Sequence, residues 1–411
     1  MPMTRVAACA LLCLTSFAAL PVEAQLRAFT GVTLIDGTER APVHNATLVV
    51  KDGRVVAAGA ARAVRIPEGA ERIALDGKVV IPGLINAHGH VNGVPDLSTY
   101  AAYGVTTVFS LGGEPPEIFA ARASQETPTL QRARVFVAGP VLTPTTPDEA
   151  RAQVAAVAAQ HVDIVKIRVD DNLGTTPKMP SDVSSAVFDE AHRRGMRVAV
   201  HLFYRDDAAS LLAAGADFIA HSVRDVEIDP PLLARLRASG VCVSPTLMRE
   251  VSAFVYESTP DFFSDPFFLA HANPEWVAAG RDPARQDAVR RSVSAQRYKA
   301  ALQVASRNVK RLAEAGVPLA MGTDTGPTGR FQGYFELMEL ELMVKAGLTP
   351  RQALASATRV AAQCMKLDAD LGTLEAGKWG DFVVLDADPL SDIANVRRIH
   401  SVWIAGNRVA R

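Results

Sequence analysis

The chain has 411 residues, with 43 Lys and Arg against 44 Asp and Glu, so its formal net charge is −1. A balance this close to neutrality argues against a nucleic-acid partner and against binding to an acidic membrane surface. The length is sufficient for one large domain and a smaller one.

Residues 1–24 have the pattern of a secretory signal, with an apolar core "VAACALLCLTSFAAL" followed by "PVEA", which places cleavage near Ala24. No later segment reaches the ~20 uninterrupted apolar residues that a membrane span requires. Removal of the signal leaves Cys242 and Cys364 as the remaining cysteines. We therefore predict an exported protein, periplasmic or secreted, with no integral membrane segment, stabilised by a large core rather than by a disulfide framework.

Both ends of the mature chain have β-strand patterns. Residues 25–80 contain short β-like runs, and "KDGR" and "LDGK" place Asp-Gly between two such runs, which is a strong hairpin signal. Residues 364–411 have the same composition and periodicity. Because each piece is too small to form a core alone, we predict one composite β-sandwich built from both ends.

Residues 81–363 alternate apolar β-branched runs with helical stretches such as "DEARAQVAAVAAQ", "SDVSSAVFDEAHRRG", "DDAASLLAAGA" and "DPPLLARLRASG". Eight apolar runs are present, at 79–88, 104–112, 134–142, 162–169, 196–203, 216–223, 240–247 and 317–325. This number predicts an α/β fold of the (β/α)8 TIM barrel type, and a doubly wound open sheet is the alternative.

The segment 248–290, between the seventh and eighth runs, is long, rich in proline and aromatic. Such an insertion at a barrel mouth indicates a substrate lid or wall, and the alternative is packing against a partner subunit in a homo-oligomer. Its aromatic residues point to a partly apolar substrate or to simple core packing; they are Tyr256, Phe262, Phe263, Phe267 and Phe268.

Six residues with metal-binding chemistry lie at or near the ends of the predicted strands: His88, His90, Lys166, His201, His221 and Asp324. Taken singly, each has an ordinary explanation as a turn histidine, a core imidazole, a buried ion pair or a loop cap. In a barrel, however, all C-terminal strand ends meet at one mouth, and a polar group buried there without a partner is costly. Imidazoles with a carboxylate predict a site for zinc or a similar transition metal.

These residues also carry a resemblance. The chain resembles the amidohydrolase superfamily, in the binuclear subgroup that has a lysine on the fourth strand, through "PGLINAHGH", the five ligand-bearing strand ends and the closing "LGTLEAGKWGDFVVLDADP". Within it, the imidazolonepropionase-like and Xaa-Pro or Xaa-Arg dipeptidase-like groups are the most similar.

The resemblance implies a role for each ligand. His88, His90 and Asp324 would bind one divalent metal, His201 and His221 the other, and Lys166, carboxylated by CO2, would bridge the two. Zinc is the first expectation, with manganese or cobalt as alternatives. A metal-bridging hydroxide would be the nucleophile and Asp324 its proton shuttle, so that Asp324, Lys166 and His221 would be catalytic.

The implied substrate is a small molecule with an amide C–N bond, a dipeptide or an N-acyl amino acid. The sequences "HLFY" at 201–204 and "AHSV" at 220–223 depart from the dipeptidase-like pattern and leave that specificity open. Hydrolysis of a cyclic amide, ester or lactone and a non-catalytic metal-binding protein are the alternatives. Four residues near strand ends are candidates for substrate binding or for supporting ion pairs: Arg168, Tyr204, Arg224 and Arg249.

Overall fold

The computed structural model describes residues 25–410, and the predicted signal sequence lies outside them. The strands in this range are β1 Leu26–Leu34, β2 Val43–Lys51, β3 Arg54–Ala60, β4 Glu71–Ala74, β5 Val79–Pro82, β6 Leu84–Gly89, β7 Val105–Ser110, β8 Arg134–Val137, β9 Val165–Arg168, β10 Val198–His201, β11 Phe218–Ile219, β12 Cys242–Val243, β13 Phe382–Leu385, β14 Ile399–Ile404 and β15 Asn407–Arg408.

The helices of the same range are α1 Val94–Ala102, α2 Pro116–Ala123, α3 Pro147–Ala159, α4 Ser181–Arg193, α5 Arg205–Ala213, α6 Pro230–Ser239, α7 Leu247–Phe254, α8 Pro266–Leu269, α9 Pro274–Arg281, α10 Pro283–Arg291, α11 Val293–Glu314, α12 Tyr334–Lys345, α13 Pro350–Ser356 and α14 Arg359–Met365. Short 3-10 segments lie at Val255–Glu257, Asp261–Ser264 and Ile393–Arg397. Between residues 25 and 410, every helix is too short or too polar to cross a bilayer.

Strands from both chain ends form one eight-stranded sheet in the order β15-β14-β13-β5-β1-β2-β3, with β4 paired to β1. Its core joins the two ends, because the ring of Phe29 lies 4.8 Å from that of Phe382 and 4.7 Å from that of Trp403. The predicted sharing of one β domain between the chain ends is therefore observed as a common sheet.

The two Asp-Gly signals have different outcomes. Asp52 and Gly53 have φ of 50° and 80°, the two positive values of a type I′ turn, and they connect the antiparallel strands β2 and β3. The second expected hairpin, at "LDGK", is wrong: β4 and β5 both pair in parallel with β1, at successive positions along it. That turn steps the chain along one edge of β1 instead of reversing it.

The central part is α/β, as predicted. Parallel sheets β6-β7-β8 and β12-β11-β10-β9 contain strands from the first seven runs. Isolated parallel bridges, Leu142 to Ile167, Val243 to Leu319 and Gly89 to Thr325, link these sheets with each other and with the eighth run. The four quoted helical stretches are confirmed as α3 to α6.

The first run is divided between the two sheets. β5 belongs to the terminal sheet and β6 to the parallel one, and Gly83 is the single residue between them. A Cβ at Gly83 would lie 2.0 Å from Thr106 Oγ1, so only glycine fits where the chain passes between the sheets.

Cys242 and Cys364 form a disulfide across 122 residues, joining β12 to α14. The sequence did not predict this pairing. One bond is not a disulfide framework, and most of the chain is held by an extensive apolar core.

The aromatic residues of the insertion are largely internal. Phe263 and Phe268 are buried and stacked at 5.6 Å, and Phe268 also contacts Phe331 and Tyr334. These contacts favour the core-packing interpretation of the insertion's phenylalanines over a substrate wall.

Candidate metal centre

His88, His90 and Asp324 form a compact group with one ligand atom from each within 4.8 Å of the others. His90 Nε2 lies 2.8 Å from Asp324 Oδ1, and His88 Nε2 lies 3.4 Å from the same oxygen. Backbone bonds fix this geometry, because the Asp324 amide donates to His88 O and the His90 amide donates to Thr325 O, both at 2.7 Å. The predicted first ligand set is thus brought together.

The imidazole rings are oriented from outside the centre. Nδ1 of His88 lies 2.7 Å from Ala220 O and Nδ1 of His90 lies 3.0 Å from Gly112 O, so each Nδ1 carries the proton and donates it to the carbonyl. Nδ1 of His221 lies 2.7 Å from Thr246 Oγ1. Metal-binding histidines are held in this way, with one ring nitrogen bonded to the protein and the other free to ligate.

The remaining predicted ligands adjoin this group. The ring centroid of His221 lies 4.7 Å from that of His88 and 4.1 Å from that of His201. Lys166 Nζ lies 3.3 Å from His88 Nε2. His221 Nε2 is buried and has no hydrogen-bond partner among residues 25–410, which is the state expected of a nitrogen oriented toward a cation. The residues present therefore fit a divalent metal.

Burial dominates the electrostatics of the centre. It lowers the pKa of His88 and His221 well below the usual value and that of His201 to about 3, so the imidazoles are neutral and able to ligate. Burial also lowers the pKa of Lys166 to about 7, which makes its neutral amine accessible near neutral pH. For Asp324, burial alone would raise the pKa, but Arg330 and the histidines hold it well below the usual range.

Two charged residues of the centre were not predicted. The Arg330 guanidinium contacts Asp324 Oδ2, and Asp170 Oδ2 lies 2.8 Å from His201 Nε2. Asp170 was detectable, because it directly follows the fourth apolar run, at the C-terminal strand end where the other candidates gather. Arg330 lies in an irregular loop, "GTDTGPTGR", where no periodicity indicates direction.

Two of the substrate-binding candidates lie at one side of the centre. Arg168 Nε donates to Asp170 Oδ1 at 2.9 Å, and Tyr204 Oη donates to Asp171 Oδ1 at 2.8 Å. A cavity of ≈ 450 Å³, within the range of small-molecule sites, opens beside Arg168. Its wall includes Pro144, Arg168, Asp170, Pro177, Lys178 and Met179.

The other two candidates lie elsewhere. Arg224 and Arg249 are buried against Glu250, with N–O distances of 2.9 and 3.2 Å. Arg224 also donates to the carbonyls of Leu202 and Ser222. This arrangement matches the supporting ion pair that the sequence left as the alternative role.

Parallel strands with imidazoles, a carboxylate and a buried amine at their C-terminal ends are typical of metal-dependent hydrolases. The amidohydrolase family model matches residues 79–409, and the chain belongs to this family. It is therefore a hydrolase acting on C–N bonds, and membership of the family implies a TIM barrel with an additional domain.

Individual similar proteins agree with this assignment. The imidazolonepropionase of Streptomyces coelicolor is 25% identical over 392 residues, which cover 89% of this chain and 92% of that protein. A structure from Bifidobacterium longum assigned as a prolidase is 26% identical, with a TM-score of 0.77, and covers 94% of this chain and 95% of its own. An Xaa-Pro dipeptidase structure with bound methionine is 19% identical, covers 94% and 100%, and has a TM-score of 0.75, which shows the shared fold.

Proposed function

We propose that the chain is an exported, binuclear metal-dependent amidohydrolase that cleaves the amide C–N bond of a dipeptide or an N-acyl amino acid. The observation that carries the proposal is the set of Nε2 atoms of His88, His90 and His221, oriented inward by bonds at Nδ1. The similarity to a protein assigned as a prolidase and to an Xaa-Pro dipeptidase supports the dipeptide.

The eight strand segments are proposed to close into one barrel. The isolated bridges support closure, because they connect β9 to the segment after β8 and connect the eighth run to both β12 and β6. The domain limits are proposed at 25–80, 81–363 and 364–411, with Gly83 near the first junction.

In the proposed centre, His88, His90 and Asp324 would hold one zinc ion and His201 and His221 the other, with manganese or cobalt as alternatives. Lys166 would ligate them as a carbamate, since a charged ammonium cannot ligate a cation, and its pKa of about 7 would supply the neutral amine that reacts with CO2. When bound, the metals supply Lewis acidity and lower the pKa of water.

Other steps of the proposed reaction, proton transfer and substrate binding, depend on side chains of the protein. Asp324 accepts a proton from water and passes it to the leaving nitrogen, while Arg330 keeps its carboxylate ionised between transfers. Arg168 lines the ≈ 450 Å³ cavity where the substrate is proposed to lie, and the ring of Tyr204 lies 4.0 Å from Nζ of Lys178 in the cavity wall.

A second candidate is hydrolysis of a cyclic amide, favoured by the 25% identity to imidazolonepropionase over 89% of the chain. Ester or lactone hydrolysis would use the same site. A non-catalytic metal-binding role has less support, because such a protein does not need Lys166 and Asp324 together.

Export is proposed because residues 1–24 have the pattern of a secretory signal. The Cys242–Cys364 disulfide supports the proposal, since disulfides persist in oxidising compartments.

The proposal is tested on the purified mature protein by measuring metal per chain and screening dipeptides, N-acyl amino acids and cyclic amides. Lys166→Ala is expected to lose metal and activity, and a short-chain carboxylic acid is expected to restore part of both. The matched control is Lys78→Ala, because Lys78 is paired with Asp386 away from both the centre and the proposed substrate cavity. Full activity and metal content in Lys166→Ala would contradict the bridging role.

A further inference from the structure

Two glutamates of α12, Glu336 and Glu339, are completely buried beneath the candidate metal centre. Their spacing of three residues places them on one face of the helix. Neither belongs to the proposed ligand set, and a buried carboxylate is retained only when other groups satisfy it. Their hydrogen bonds identify what each one holds.

Glu336 accepts three hydrogen bonds on one oxygen. Asn86 Nδ2 and the Thr323 hydroxyl donate to Oε1 at 2.6 Å, and the Thr325 hydroxyl donates to it at 2.5 Å. Thr323 and Thr325 flank Asp324, so the carboxylate fixes the backbone on both sides of that ligand. Oε2 of Glu336 has no hydrogen-bond partner within the described part of the chain.

The same network extends to the two histidines of the first ligand group. Asn86, bonded to Glu336, accepts the His88 amide on its own Oδ1 at 2.9 Å. Thr325 accepts the His90 amide on its carbonyl at 2.7 Å. All three ligands of this group are therefore within two bonded steps of Glu336.

Glu339 holds a different element. Its Oε1 accepts the Leu247 amide at 2.8 Å and its Oε2 accepts the Met248 amide at 2.6 Å, so both oxygens bind the start of α7. The residue directly before, Thr246, contacts His221 Nδ1 at 2.7 Å. Glu339 is thus connected to the second ligand group through Thr246.

Each glutamate adjoins a residue with an unfavourable backbone conformation. Asp324 has φ of 60° and Thr246 has φ of 50°, values that non-glycine residues seldom adopt, least of all a β-branched one. Such conformations persist only where the surroundings impose them. The bonds from Glu336 and Glu339 are the constraints that lie next to these two residues.

We propose that α12 is a positioning helix, in which Glu336 sets the geometry of the His88, His90 and Asp324 group while Glu339 separately sets the orientation of His221. The inference rests on the proposed binuclear centre. A substitution at one glutamate should therefore change metal binding at one subsite and not at the other, although neither glutamate contacts a metal or a substrate.

The bonding patterns predict opposite responses to glutamine. At Glu336 all donors meet one oxygen, so Glu336→Gln keeps its acceptor and retains zinc affinity, whereas Glu336→Leu lowers it. At Glu339 each oxygen accepts a separate amide, so Glu339→Gln loses one bond and lowers affinity. Changes of about 10- to 100-fold are typical when groups that orient metal ligands are removed.

The test is a zinc titration of chelator-stripped protein against a chromophoric competitor. Wild type should bind two equivalents per chain. A His221→Ala background isolates the first subsite and a His90→Ala background isolates the second. Glu336→Leu should weaken zinc binding only in the His221→Ala background, and Glu339→Gln only in the His90→Ala background. The control Glu341→Gln, on the same helix but paired with Arg397, should change neither.

Folding is monitored in each variant by circular dichroism. If Glu336→Leu does not fold, Thr323→Val and Thr325→Val remove single donors with little change in volume and should weaken the first subsite. Equal weakening of both subsites by each glutamate variant, or no weakening by either, would overturn the inference. Binding of fewer than two zinc ions by wild type would instead overturn the proposed function.

Discussion

The ion pairs that Glu250 forms with Arg224 and Arg249 make it possible to test whether these arginines bind the substrate or only stabilise the fold. Arg224 and Glu250 are each 1% exposed, and Arg249 joins the same carboxylate. Glu250→Gln keeps the size of the side chain but leaves two buried guanidinium groups without a counter-charge. Removing one partner of a buried pair costs about 3–5 kcal/mol.

This loss of stability can be measured as a decrease in the melting temperature. Proteins gain ~2.1 cal/mol/K of entropy per residue on unfolding, which gives ~0.8 kcal/mol/K for a chain of this size. The expected decrease in melting temperature is therefore about 4–6 °C, followed by circular dichroism. Glu257→Gln is the matched control, because Glu257 is paired with Lys299 near the surface and its loss should cost at most ~1 kcal/mol.

Kinetics distinguish this structural role from substrate binding. Arginines committed to Glu250 should leave KM for a carboxylate-bearing substrate unchanged in the fraction of Glu250→Gln that remains folded. An unchanged melting temperature together with an altered KM would refute the reasoning, because the arginines would then face the substrate.

Three further outcomes are expected. Cys242→Ser should lower the free energy of unfolding by roughly 2–5 kcal/mol in a urea titration, because the bond closes a 122-residue separation; equal stability of the reduced and oxidised wild type would contradict this. In metal-free protein, stability should fall as pH falls from about 6.5 toward 3, because the unfolded chain binds protons that buried His201, with a pKa of about 3, does not. His201→Gln should flatten that slope by up to ~1.4 kcal/mol per pH unit, and an identical slope would count against burial as the cause. Asp170→Asn should lower zinc affinity about tenfold in competition titrations by releasing His201, and unchanged affinity would show that Asp170 does not orient the ring.

The metal-binding candidates were predictable because they are tied to strand ends. A run of apolar residues fixes where a strand lies, and parallel connectivity fixes which end faces the mouth, so His88 and Asp324 could be placed together despite their separation in sequence. The same reasoning placed Lys166 beside His88 Nε2.

Residues that depend on side-chain direction or loop geometry were not predictable. Arg224 lies just after the sixth apolar run, the position expected of a residue that binds substrate. Its side chain is instead buried, because Glu250 of α7 lies close enough to form an ion pair with it. "LDGK" has the chemistry of a hairpin, yet the open edge of β1 accepts both flanking strands in parallel. Glu336 gave no signal, because its role depends on a helix packing under a loop.

The pairing of β5 with β13 has a consequence for the order of synthesis. Pro82 pairs with Phe382, which follows it by 300 residues (382 minus 82). At translation rates of ~5–20 residues per second, ~15–60 s pass between the synthesis of β5 and that of β13, and this edge of β5 is unpaired until then. During that interval "VVI" presents unpaired backbone groups on an apolar strand, the kind of edge that recruits other chains. A ribosome pause or premature stop before residue 382 therefore leaves an aggregation-prone product, even though every proposed metal ligand has already been made.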